Sequence, residues 1–112
     1  MRLPTAWAVL AGCLLVRGSW ESAAGTESAV HTYTVTMENL QFNPAELTVR
    51  RGDRIVWVNR DFFPHTATAK DKTFDSGSIN TNASWTFTAN AIGDHRYGCT
   101  FHPTMKGQIH VR

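Results

Sequence analysis

Short runs of alternating apolar and polar residues, broken by turn-forming clusters, govern what this chain can fold into. His31 to Met37 sets Tyr33, Val35 and Met37 on one face against Thr32, Thr34 and Thr36 on the other, the period of a half-buried strand. Leu47 to Val49 and Ile55 to Val58 flank a turn at Gly52-Asp53. Alternation returns in Trp85 to Thr88, at Tyr97-Gly98 and in Ile109 to Val111. Breaks fall at Asn43-Pro44, Asn59-Arg60-Asp61, Asp75-Ser76-Gly77, Asn80 to Asn82 and Ala91 to Asp94, all rich in residues that favour turns. No window of about eleven residues keeps a helical period, and Lys70 to Asn82 reads as polar and irregular. The expectation is an all-β, antiparallel sandwich of about seven or eight strands.

The first two dozen residues stand apart. Arg2 precedes an apolar run from Leu3 to Val16, and Ser22-Ala23-Ala24 offers a small-x-small cleavage site, so residues 1–24 read as an export signal and 25–112 as one domain. The apolar run is short and interrupted by Pro4 and Gly12. No later stretch nears the roughly 20 apolar residues that a membrane span needs. Leu10-Ala11-Gly12-Cys13 resembles a lipoprotein box, but the residues after Cys13 stay apolar, so lipid anchoring there is the minority reading. A net charge of +2 over 112 residues, with basic residues scattered apart from Arg50, Arg51 and Arg54, gives no nucleic-acid stripe. The destination expected is an extracytoplasmic compartment, the periplasm.

Cleavage after Ala24 leaves Cys99 as the only cysteine. A lone thiol in an oxidising compartment can make no internal disulfide, so something else should occupy the sulfur. Its neighbours suggest what. Tyr97-Gly98-Cys99-Thr100-Phe101-His102-Pro103-Thr104-Met105 places a thiolate, an imidazole and a thioether at intervals of three residues. Taken singly, each has a bland explanation, since Met fills cores and a short Cys-x-x-His arises by chance. Together they suit copper: two imidazoles and a thiolate in a trigonal array, with a weak axial thioether, are acceptable to both oxidation states. A second histidine is then required. His65, in Phe62-Phe63-Pro64-His65, is the candidate, while His31, His95 and His110 read as surface or packing residues.

Here the sequence resembles the cupredoxins, the small blue copper proteins. Phe42-Asn43-Pro44-Ala45-Glu46-Leu47-Thr48-Val49, then Gly52-Asp53, Val56-Trp57-Val58-Asn59, Pro64-His65 and the Cys99 loop are similar to that family in order and spacing. The short Cys99-x-x-His102-x-x-Met105 loop is most similar to that of the amicyanins. The resemblance implies a Greek-key β-sandwich binding one copper ion through His65, Cys99, His102 and Met105, both histidines using Nδ1. It implies a monomeric carrier of single electrons between redox partners. These would dock on apolar surface around His102, formed by Phe62, Phe63, Pro64, Phe101 and Pro103. Two positions depart from the amicyanin pattern: Thr66 stands where asparagine is common, and Phe101 where proline is common.

Two other functions compete. A copper oxidase or nitrite reductase pairs such a site with a second copper through a histidine flanking the cysteine, but Gly98 and Thr100 flank Cys99. The expectation is therefore not an enzyme. A module that stores or delivers metal would use the same ligands without shuttling electrons.

Overall fold

Eight strands form among the described residues, and no helix. The structure, a computed structural model, describes residues 2–4, 12, 18 and 29–112; the boundary after Ala24 and the cysteine at position 13 lie outside them. No helix among the described residues is long and apolar enough to cross a membrane.

The strands are β1 (Thr32–Glu38), β2 (Gln41–Asn43), β3 (Glu46–Val49), β4 (Arg54–Asn59), β5 (Thr68–Ala69), β6 (Ser84–Thr88), β7 (Gly93–Gly98) and β8 (Lys106–Val111). They make two four-stranded sheets, in the orders β2-β1-β4-β6 and β3-β8-β7-β5. The β-sandwich expected from the alternation is what the chain builds. One part of the expectation is corrected: the sheets are mixed, with β1 parallel to β4 and β3 parallel to β8. The turn at Gly52-Asp53 explains why. Rather than folding β4 back on β3, it carries the chain to the other sheet, so β4 meets β1 running in the same direction.

That corner is tied from three sides. Gly52 has a φ of 96°, open to glycine, and its N–H donates to the Ala89 carbonyl at 2.8 Å. The Arg51 N–H reaches Arg112 O at 2.9 Å. The Asp53 carboxylate accepts from the amides of His31 (3.0 Å) and Arg50 (2.8 Å), and these hydrogen bonds hold its carboxyl below the usual range. Arg50, Arg51 and Arg54 are exposed, as expected of a solvated turn.

The inward face of each sheet supplies the core. Val35 and Met37 of β1, Ile55 and Trp57 of β4, Tyr97 of β7, and Ile109 and Val111 of β8 are all nearly inaccessible. Each large apolar side chain so buried contributes about 1.5–3 kcal/mol over leaving it exposed. Lys70 to Asn82 is irregular, as its composition suggests, yet it is no mere surface loop. Phe74 enters the core, its ring centroid 5.3 Å from Trp57, 5.6 Å from Tyr97 and 4.9 Å from Phe87. A single phenylalanine and Ile79 thus anchor a polar segment.

His95 pins the same segment to β7. Its ring is buried, Nε2 donates to Ala91 O at 2.7 Å, and Nδ1 faces the Asp71 carboxylate. Burial pushes the imidazole towards its neutral form, but Asp71 and the Ala91 carbonyl outweigh it and raise its pKa. At Asp71 burial also opposes charge; the Thr73 hydroxyl and His95 outweigh it and bring the carboxyl down to about 2. The His95 contribution to stability is therefore complete below 6.5 and lost as pH rises through its raised value. That of Asp71 holds above 3.8 and is lost as pH falls towards about 2. In thermal melts, Asp71→Asn is expected to be most destabilised in the interval between, with the gap narrowing above it. A gap that does not vary with pH would rule out the pair.

Candidate metal centre

The residues predicted to act together converge at one end of the sandwich. His65 follows β4 and is held by two backbone hydrogen bonds to Ile79: its N–H donates to Ile79 O at 3.1 Å, and the Ile79 N–H returns to His65 O at 2.7 Å. Cys99 follows β7, and His102 and Met105 lie in the turn before β8. That turn is closed by Cys99 N–H to Met105 O (3.2 Å) and Met105 N–H to His102 O (2.9 Å). The chain can therefore present Cys99, His102 and Met105 within a few positions while the amides at both ends of the turn stay paired.

His65, Cys99 and Met105 are buried, at 0%, 4% and 1% exposure, while His102 keeps an edge at the surface. His65 Nδ1 and His102 Nδ1 lie 3.1 Å apart, and the Cys99 Sγ is 3.7 Å from each. A point equidistant from three atoms so separated lies about 2.0 Å from each, close to the length of a bond from imidazole or thiolate to a first-row metal ion. Two imidazole nitrogens and a sulfur converge here at distances that one cation can bridge. The donor set therefore fits a metal, and soft sulfur with two imidazoles favours copper or zinc over the oxygen-seeking ions. Met105, buried at the base of the turn, is placed as a further donor or as packing. His31, His95 and His110 stay away from the cluster: His110 faces Asp94 and Glu46 on the outer face.

Thr66 takes the part expected of the more common asparagine. Its hydroxyl accepts the Thr100 N–H at 2.9 Å, and its own N–H donates to the Cys99 sulfur at 3.3 Å. One residue beside His65 thus ties the two donor loops together. The hydrogen bond to sulfur also fixes where the Cys99 side chain points.

Asp61 is the functional residue that sequence reasoning missed. His65 Nε2 donates to its carboxylate at 2.7 Å, which leaves the Nδ1 lone pair aimed at the cluster. The same carboxylate accepts from Asn39 N (2.7 Å) and Leu40 N (3.0 Å), two residues held at φ 54° and 57° in the β1–β2 turn. Burial pushes the Asp61 carboxyl up, but the Leu40 amide, the His65 ring and the Asn39 amide together bring it below the usual range. Asn59 supports it. Its Oδ1 accepts Asp61 N–H at 2.9 Å, and its Nδ2 donates to Phe63 O and Ile79 O at 2.7 and 2.9 Å. Asn59-Arg60-Asp61 reads from sequence as a simple turn, and an acid four residues before a histidine was the one available clue.

Asp61→Ala is expected to loosen the His65 ring and free the β1–β2 turn. Losing a carboxylate that orients a ligating imidazole weakens metal binding about 10- to 100-fold, and leaving two amides unpaired costs about 1–3 kcal/mol each. Competition with a chelator of known affinity measures the first, and denaturant unfolding of the metal-free protein the second. Unchanged affinity would show that His65 is oriented by packing alone.

Apolar side chains that flank His65 and His102 in the chain are exposed: Phe62 at 91%, Phe101 at 53% and Phe63 at 49%, with Pro64 and Pro103 also exposed. Phe63 lies against both imidazoles, its ring centroid 6.0 Å from His102 and 6.4 Å from His65.

Comparison with known proteins agrees with this geometry. The amicyanin of Paracoccus versutus is 26% identical over 98 residues, covering 83% of this chain and 74% of its own. Amicyanin-alpha of Methylorubrum extorquens is 28% identical over 99 residues, covering 80% and 83%. Among solved structures, the Cu(I) form of an amicyanin variant superposes with a TM-score of 0.68 at 26% identity, covering 77% of this chain and 87% of that one. A copper-containing nitrite reductase from Thermus scotoductus gives the same score at 28% identity, but the match covers only 22% of its length. The profile of the cupredoxin-like domain matches residues 7–111, so the chain belongs to the cupredoxin-like domain family.

Proposed function

We propose that this protein is an exported carrier of single electrons, cycling one copper ion held by His65, Cys99, His102 and Met105. The observation that carries the reading is the triangle of two Nδ1 atoms and one sulfur, with His65 and Cys99 buried and His102 reaching the surface among exposed apolar chain neighbours. Copper supplies the one-electron couple, Cu(I)/Cu(II). The protein supplies a site that need not rearrange. Asp61 and Phe63 fix the His65 ring, Thr66 fixes the thiolate, and the closed turn fixes His102, so the barrier to electron transfer stays low. His102, the donor residue that reaches the surface, is the natural electron port. Phe62, Phe63, Pro64, Phe101 and Pro103 around it suit the weak, fast encounters of redox partners.

Burial argues against storage or delivery, because a delivery site must open its ligands to an acceptor, and His65, Cys99 and Met105 are almost wholly inaccessible. An enzyme built like the nitrite reductase neighbour would need a histidine beside Cys99, where Gly98 and Thr100 stand. The leader at 1–24 and the domain at 25–112 belong to the same proposal; a periplasmic product beginning at Gly25 supports them, and one lipidated at Cys13 does not.

Titration of the metal-free protein with Cu(II) is the decisive test. One equivalent should produce an intense visible absorption that bleaches with ascorbate and returns with a mild oxidant. A colourless complex, or one that is reduced and cannot be reoxidised, would favour the storage reading. Met105→Leu should keep the colour and raise the potential by removing a weak axial donor; loss of copper would make Met105 a structural ligand.

A further inference from the structure

Each sheet ends in two edge strands, and three of the four are protected against pairing with another chain. β2 has three residues and runs into Pro44, β5 has two and is followed by Lys70, and β3 has four and opens on Glu46. Short length, charge and proline are the ordinary means of blunting an edge. β6 has none of them. Its five residues, Ser84-Trp85-Thr86-Phe87-Thr88, are strong strand formers apart from the serine. The run from Ser76 to Gly93 holds no charged residue, in a chain that is 18% charged.

The ladder shows which backbone groups of β6 are left over. The Asn59 N–H donates to Ala83 O at 3.0 Å and the Ala89 N–H to Asp53 O at 2.8 Å, one at each end of the β4–β6 pair. Bonded pairs alternate along antiparallel strands, so Trp85 and Phe87 also turn their backbone groups to β4. The N–H and C=O of Ser84, Thr86 and Thr88 then point away from the sheet, and among the described residues no hydrogen bond reaches them. Their side chains are exposed on the outer face, where Thr86 continues a row with Val56 and Thr34. On the inner face Trp85 and Phe87 are only half-buried, stacked on one another at 5.8 Å.

We propose that β6 is the interface for a second copy of this chain, paired antiparallel about a two-fold axis at Thr86. The leftover groups set the register. With Thr86 opposite itself, Ser84 meets Thr88 of the second copy, and every free N–H of the edge finds a free C=O. The same register lays Trp85 against Phe87 of the second copy on the inner face, and hydroxyl side chains against one another on the outer. Such pairs are favourable when directly opposite, whereas like charges are not, so a strand without charge is suited to lie against itself. The contact uses the same patch on both copies and closes. The joined sheet ends at β2 on each side, where three residues and Pro44 stop further addition, so the product is a dimer and not a fibre. This departs from the monomer that the family resemblance implies. β4 runs towards the metal end and β6 away from it, so antiparallel pairing sends the two metal ends in opposite directions and leaves His102 open on both.

Sedimentation velocity on the exported chain, metal-free and Cu(I)-loaded, should show monomer and dimer exchanging with concentration and no larger species. One strand pair is a small interface, so the exchange is expected in the micromolar to millimolar range. In amide hydrogen exchange, Trp85 and Phe87 should be protected at every concentration, and Ser84, Thr86 and Thr88 only as the dimer fills. Thr86→Lys and Thr86→Glu should each weaken the dimer at least tenfold, because each sets like charges opposite one another across the axis. Mixing the two variants should restore it, as only a residue that faces itself allows, and Thr86→Val should leave association unchanged. A chain that stays monomeric throughout would overturn the proposal. Slow exchange of Ser84, Thr86 and Thr88 in the dilute monomer would overturn it too, since the chain's own residues would then cover the edge. A dimer that Thr86→Lys leaves intact, or that mixing fails to restore, would place the contact on another face. Should the charged variants fail to fold, the exchange pattern of the unmodified chain decides alone.

Discussion

Cys99→Ser removes the visible absorption of the copper-loaded protein entirely while leaving the sandwich folded. The colour of such a centre comes from charge transfer out of the thiolate, and Cys99 is the one sulfur-bearing member of the His65–Cys99–His102 group. Serine is near in size, so the turn closed by the backbone of Cys99 and Met105 should survive. Its hydroxyl, far less acidic than a thiol, gives no comparable anion at neutral pH. His65→Ala should also lose the band, for another reason. It opens a hole where a fully buried ring stood and leaves the Asp61 carboxylate without its Nε2–H partner. Cys99→Ser should therefore change colour far more than stability, whereas His65→Ala lowers both. Absorption spectra paired with urea unfolding of the metal-free variants separate the two. Residual colour in Cys99→Ser would place the metal on other ligands.

The proposed donor set was legible because it is chemical: Cys99, His102 and Met105 at intervals of three residues carry their meaning in one dimension, and His65, the candidate from farther back, is brought beside Cys99 and His102 by the fold. The strands were legible for a similar reason, since alternation in Thr32 to Glu38 records which face each residue turns to the core. What escaped depends on the third dimension. Asp61 looks like one residue of a polar turn until the fold brings Asn39, Leu40 and His65 around its two oxygens. Phe74 looks like a stray aromatic in a polar segment until Trp57 and Tyr97 meet it. The parallel pairing of β1 with β4 was hidden because it depends on which sheet the chain enters after Gly52, a choice made by hydrogen bonds to Ala89 and Arg112 far along the sequence. Thr66 shows the opposite case. Family pattern made it suspect, yet its hydroxyl reaches the Thr100 amide and does the bridging work.

Gly107→Ala should be among the most damaging single-methyl changes in the molecule. Gly107 is paired directly opposite Tyr97, and an added Cβ would lie 2.4 Å from the tyrosine Cζ and 2.6 Å from its hydroxyl oxygen. Those distances are well inside contact, so something must shift. The ring has little freedom to yield: Tyr97 is 1% exposed and packed against Phe42, Phe74 and Trp57 at centroid distances of 4.6, 5.6 and 5.5 Å. Overpacking a core in this way costs about 1–3 kcal/mol, which for a domain of this size lowers the melting temperature by roughly 4–8 °C per kcal/mol. The strain also reaches the metal end along both strands, because Tyr97 lies two residues before Cys99 and Gly107 two residues after Met105. Gly107→Ala is therefore expected to shift the copper absorption as well as the melting temperature. Tyr97→Phe in the same background should recover only a small part of the stability, because it removes the hydroxyl but keeps Cζ, the atom nearest the new methyl. If the single variant melts with the wild type, β8 can move away from Tyr97 at little cost, and the two strands that carry the ligand turn are not held as tightly as their packing indicates.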